Sequence, residues 1–156
     1  MDPIVYFTIH ETDLIQQLRK QGQELCRQNI SKKWIYASLD DFKFGFVHAT
    51  PIAQIGRMKR GKPGLPIASF VLCKPMTDEN IDIKLICSRP NTQEGSKLIR
   101  KVEEYAKEQG FQVLSLFSLP DYRLVQWYKS QGFVIRSEFR DPKKYDLKTY
   151  YMEKRL

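Results

Sequence analysis

Ile81-Asp82-Ile83-Lys84-Leu85-Ile86-Cys87-Ser88-Arg89-Pro90-Asn91-Thr92-Gln93-Glu94-Gly95-Ser96-Lys97-Leu98-Ile99 reads as an apolar strand, a polar loop and the start of a helix. The helix, over 95–109, carries Leu98, Ile99, Val102 and Ala106 on one stripe, and Arg100, Lys101, Glu103 and Glu104 face away. Gly110 stands where a helix stop belongs. A unit of this kind suits a phosphate. The first-turn amides of a helix have no internal partner, the helix dipole adds positive potential there, and a glycine lets the anion approach the backbone. Arg89, Lys97 and Arg100 add positive charge nearby. The same residues equally fit an ordinary strand-to-helix connection capped by Thr92, and alone they do not choose.

Downstream, 111–118 is a strand, and Ser118 and Pro120 open a second helix that runs to about 131 and is closed by Gly132. Within it, Trp127-Tyr128-Lys129-Ser130-Gln131-Gly132-Phe133 ends an amphipathic aromatic helix, and a strand starts at Phe133. By itself a tyrosine there reads as core. Residues 133–139 and 147–153 form a closing hairpin across the turn-rich 140–146.

Upstream, 67–73 and 81–87 are two apolar strands joined by the turn-like 74–80, an antiparallel pair. Residues 51–66 hold three glycines, three prolines and the basic residues Arg57, Lys59, Arg60 and Lys62, which predicts a long loop with one helical turn at 52–58. Residues 42–48 alternate with period two, as a half-buried strand does. Residues 34–39 fit helix and strand alike. Thr12 is the expected N-cap of a helix over 13–29, weakened by Gly22, and 4–9 is an opening strand. No internal repeat or linker divides the chain. The expectation is a single α/β domain over 1–156 with a central mixed sheet of six to seven strands flanked by helices.

A length of 156 residues matches one domain with a real core. Apolar residues at 42% and charged residues at 28% exclude a disordered chain. No apolar run reaches the roughly 20 residues of a membrane span. Met1-Asp2-Pro3-Ile4 has neither the basic nor the apolar part of a signal peptide, so a cytoplasmic or nuclear location is expected. Cys26, Cys73 and Cys87 are odd in number and widely spaced, which predicts neither a disulfide framework nor a metal site. His10 and His48 have no neighbouring ligand, so structural roles are expected for all five residues. With 26 Lys+Arg against 18 Asp+Glu, the net charge of +8 favours a polyanionic partner: nucleic acid, a nucleotide cofactor or an acidic protein.

The two strand–helix units, in this order, resemble the GNAT superfamily of acyl-CoA-dependent N-acyltransferases. Tyr128-Lys129-Ser130-Gln131-Gly132-Phe133 is similar to the family's Tyr-x-x-x-Gly-Phe signature, and Leu98-Ile99 to the apolar pair after its pyrophosphate loop. The likeness covers about 67–139. It implies the GNAT fold and acetyl-CoA as cosubstrate. It further implies an acetyl group passed directly to a primary amine in a ternary complex, on a small-molecule or protein acceptor. Nucleic acid is a less favoured partner, no membrane is implied, and the oligomer is left between monomer and homodimer.

Residue by residue, the resemblance lays the pantetheine arm along Leu85, Ile86, Cys87 and Ser88. It lays the pyrophosphate on Gln93, Glu94, Gly95, Ser96, Lys97 and Leu98, with Arg89 beside them. Tyr128 then protonates the departing thiolate. Gln93 stands where the family has its first loop glycine, and Pro90 where it has Arg or Gln. A Gln there costs about 1 kcal/mol if the turn needs a positive φ. Asp121 stands where many members have a cofactor-holding Asn, and an ionised Asp accepts but does not donate. These departures also fit a catalytically inactive GNAT-like module. Asp82, His48 and Glu79 are the candidate general bases. The Arg57–Lys62 cluster is a solvated loop, a clamp for the CoA 3′-phosphate or an acidic acceptor, or a nucleic-acid contact.

Overall fold

The computed structural model describes residues 4–26, 31–49, 67–89, 92–141 and 147–156. The order is β1 (Ile4–Thr8), α1 (Thr12–Cys26), α2 (Lys32–Asp40), β2 (Phe44–Ala49), β3 (Ile67–Pro75) and β4 (Asn80–Ser88). It continues with α3 (Glu94–Glu108), β5 (Val113–Ser118), α4 (Tyr122–Ser130), β6 (Val134–Asp141) and β7 (Leu147–Arg155). The ambiguous 34–39 segment is helical, started by Ser31, whose side chain accepts from the Trp34 amide. The expected loop with Arg57, Lys59, Arg60 and Lys62, and the helical turn expected at 52–58, lie outside the described residues.

The strands form one sheet in the order β1-β2-β3-β4-β5-β7-β6. All neighbours run antiparallel except β4 and β5, which are parallel because α3 carries the chain back between them. Alternation of side chains divides the apolar residues between the two faces. Phe7, Leu18, Ile35, Leu39, Phe70 and Leu72 pack together under α1 and α2. On the other face Phe46, Val71, Ile83, Leu98, Val102, Leu116 and Phe133 pack with α3 and α4. Both expected helix stops have left-handed backbone, at Gly110 with φ 84° and Gly132 with φ 97°.

The expectation for the cysteines is overturned. Cys26 and Cys87 form a disulfide across 61 residues, joining the last residue of α1 to β4, and Cys73 alone is a free, buried thiol. An odd count with wide spacing hides such a bond, because only the packing of α1 on the sheet brings the two residues together. Among the described residues, no cluster of His, Cys, Asp and Glu could hold a metal ion, and no helix is long and apolar enough to cross a membrane.

Candidate active site

The feature that organises the site is a break in the middle of the sheet. β4 pairs with β5 only from Asn80↔Val113 to Ile83↔Leu116. On its other side Leu72 faces Leu85 but Cys73 faces Ile83, so Lys84 is an extra residue with no partner on β3. A bulge bends the strand that carries it. Here β4 bulges and leaves β5 at the same residue. The two strands diverge, and the remainder of β4 presents an open backbone edge inside the sheet.

The cleft so formed is lined by Ile83–Ile86 from β4, Leu116 and Phe117 from β5, Leu124 and Tyr128 from α4, and Trp34 from α2. Tyr128 is only 7% exposed. Burial pushes its phenol well above the usual tyrosine range, so the hydroxyl stays protonated. Leu85 and Ile86 are thus brought beside Tyr128. Cys87 is not: its side chain lies on the α1/α2 face in the disulfide, leaving only its backbone for the cleft.

Beyond Ser88 the chain turns into α3. Gln93 is the N-cap, with φ −93° and ψ 14° and no side-chain cap bond. The turn therefore needs no positive φ at this position, and the expected cost of Gln for Gly does not arise. Thr92 does not hold the cap position, although its hydroxyl accepts from the Glu94 amide at 3.4 Å. Ser96 Oγ accepts from Gln131 Nε2 at 3.0 Å, which ties this turn to the end of α4. The Leu98 side chain is wholly buried in the core, so only its backbone belongs to the turn. Lys97 is exposed.

Glu94 is the residue whose role sequence reading missed. Its carboxylate takes a bidentate contact from Arg89, at 2.7 and 3.2 Å, and one from His48 Nδ1 at 2.9 Å. The Arg89 guanidinium, helped by the charges of Arg89 and His48, holds the Glu94 carboxyl below the usual carboxylate range. Arg89 is thus engaged with Glu94 rather than standing as an unopposed charge. This pairing gives His48 a partner: its ring meets the first turn of α3 through the Glu94 carboxylate. The i, i+5 spacing of Arg89 and Glu94 is a weak signal, and the His48 partner comes from another strand.

Asp121 is the N-cap of α4, accepting from the amides of Arg123 at 2.9 Å and Leu124 at 3.3 Å. Glu79 lies in the β3–β4 turn, where its carbonyl accepts from the amides of Gln112 and Val113. Asp82 is buried at 4% exposure and accepts from Ser115 Oγ at 2.8 Å.

No protein-family model matches the sequence, and no curated protein matches it. Solved structures do. A GNAT family acetyltransferase from Elizabethkingia anophelis with acetyl-CoA bound superposes with a TM-score of 0.64 at 16% identity over 100% of both chains. Ard1 from Thermoplasma volcanium gives 0.67 at 14% identity, over 99% of this chain and 98% of its own. The ribosomal-protein-S18-alanine N-acetyltransferase from Escherichia coli gives 0.65 at 15%, over 98% and 94%. The chain has the GNAT fold, from β1 to β7.

Proposed function

We propose that this protein is an acetyl-CoA-dependent N-acetyltransferase that passes an acetyl group to a primary amine by direct attack in a ternary complex. The observation that carries the reading is the divergence of β4 from β5 at the Lys84 bulge. Backbone groups facing a gap inside a sheet need partners. The amide-bearing pantetheine arm is a chain that can supply them along residues 85–88. Its pyrophosphate would lie on the first-turn amides of α3 at 94–97, where amide donors and the dipole favour an anion. In this reading Tyr128, a buried residue of the cleft lining, gives its proton to the departing thiolate. Asp121 supports the cofactor indirectly, by fixing the start of the helix that carries Tyr128. The neighbours solved with acetyl-CoA or as N-acetyltransferases support the same chemistry, and either a small molecule or a protein could supply the amine.

A second reading, a GNAT-like module without catalysis, draws on Glu94, an anion in the first turn of the helix that would meet the pyrophosphate. Calorimetric titration separates the two: binding at micromolar to millimolar acetyl-CoA is expected, and no heat at millimolar cofactor favours the module. Replacing Tyr128 by Phe is expected to lower kcat by about 10²-fold, the usual scale for a lost general acid, with acetyl-CoA binding kept. Equal turnover removes Tyr128 from the chemistry.

A further inference from the structure

Beyond the cleft, one face of the sheet carries aromatic rings in water. Leu114 and Leu116 of β5 and Met152 of β7 point into the α3/α4 core. Phe117 and Tyr151, opposite one another across β5 and β7, alternate with them and point to the other face. α1 and α2 pack on that face against β3 and β4, whereas Phe117 and Phe139 stay 42% and 51% exposed. The rings of Phe117 and Phe139 lie 5.9 Å apart at 63°, and those of Phe117 and Tyr151 lie 5.2 Å apart at 47°. Single exposed apolar side chains are ordinary, but rings gathered into one patch mark a surface that a ligand or partner covers.

The position of the patch identifies its occupant. Phe117 belongs both to the patch and to the cleft lining, where it stands with Leu116 and Tyr128. A molecule whose amine enters the cleft from this face lays its next few atoms over the rings. Charge narrows the choice further. Among the described residues that line the cleft, the charged side chain is Lys84, and none is a carboxylate. Lys84 is met by Asp41 at 3.5 Å and Asp82 at 3.8 Å, so those acids are already engaged. Near the rings, Glu153 faces Arg136 at 3.9 Å. A second positive charge on the acceptor would meet Lys84 without a carboxylate of its own in the cleft. Sugar hydroxyls laid on the rings would lose hydrogen bonds to water without replacement.

We propose that Phe117, Phe139 and Tyr151 form the platform for the acceptor, and that the acceptor is an amine with an aromatic or large apolar group beside it and no second positive charge; this rests on the acetyl-CoA reading above. An apolar group on the rings leaves water, and an aromatic one adds edge or offset contact. Phe139 sets the specificity, since it is the most exposed of the three rings and stands outside the cleft lining. Polyamines and aminoglycosides fit this surface poorly.

The test measures transfer from acetyl-CoA to phenylalaninamide, glycinamide and argininamide. All three offer an α-amine with a pKa of about 8, so differences report the side chain. For wild type we expect kcat/KM for phenylalaninamide to exceed that for glycinamide by about 10-fold, mostly through KM, the scale of one ring leaving water. Argininamide should not exceed glycinamide. In Phe139→Ala the preference for phenylalaninamide should fall to about 2-fold. A ratio of two substrates in one preparation is untouched by a loss of folded enzyme. If that variant does not fold, Phe139→Gln is read in the same way. A wild-type preference of one or less overturns the platform, and so does an unchanged preference in the variant. Argininamide used as well as phenylalaninamide also overturns it, because the rings would then hold a cation. A wild type that binds no acetyl-CoA at millimolar concentration sinks the acetyl-CoA reading, and the platform falls with it. Acetyl-CoA bound without transfer to any of the three amides sinks the platform alone.

Discussion

At the residue scale, Gly95 shows how a glycine in a phosphate-like turn can have a second reason to be there. A Cβ at this position would stand 2.9 Å from Trp127 Cζ2 and 3.1 Å from Ser88 Oγ. The close approach is between α3, the end of β4 and the indole of α4, so the glycine lets three elements meet. Gly95→Ala is therefore expected to cost about 1–3 kcal/mol, the usual range for overpacking. The urea midpoint measures it, and an unchanged midpoint would mean that the indole swings away freely. Gln93 teaches the converse: with φ −93° it occupies backbone that any residue adopts, so its departure from the family pattern carries no conformational cost.

At the element scale, α4 is the support for Tyr128, and its start depends on Asp121. The carboxylate takes the place of the missing carbonyls for two first-turn amides. Asn and Asp cap about equally well, whereas removing the side-chain acceptor costs about 1 kcal/mol. Asp121→Ala should accordingly lower stability by about 1 kcal/mol in denaturant titration, and Asp121→Asn should leave it within a few tenths. A loss on going to Asn equal to that on going to Ala would show that the charge, not the cap, matters. The bulge at Lys84 works on the same scale: one extra residue on β4 separates two strands that are in register over the four residues just before it.

At the scale of the whole molecule, the Cys26–Cys87 bond fastens the α1/α2 layer to the strand that forms one wall of the cleft. Closing a loop of this length restricts the unfolded chain and stabilises the fold by about 2–4 kcal/mol. Reduction, or Cys26→Ser, should lower the denaturation midpoint by the corresponding amount. Cys73, buried and with its thiol pushed up by desolvation, should stay unreactive toward alkylating reagents in the folded protein. Identical unfolding curves with and without reductant would rule out a stabilising role for the bond.

Apart from α2, whose segment 34–39 fits helix and strand alike, the order of strands and helices is determined by the sequence, because those elements carry their own periodicity and their own stops. Leu98, Ile99, Val102 and Ala106 mark α3, and Gly110 and Gly132 end the two helices that frame β5. The antiparallel β3–β4 pair and the aromatic end of α4 follow from equally local chemistry, and so did the likeness to the GNAT fold. What tertiary structure alone decided is how residues distant in the chain share a site. The Lys84 bulge has no local signature, since it is a mismatch of register between β3 and β4. Glu94 acquires His48 from β2, Cys87 acquires Cys26 from α1, and Asp82 acquires Ser115 from β5. Each of those pairings depends on which strands become neighbours in the sheet and which way their side chains alternate. Neither is written in the residues beside them.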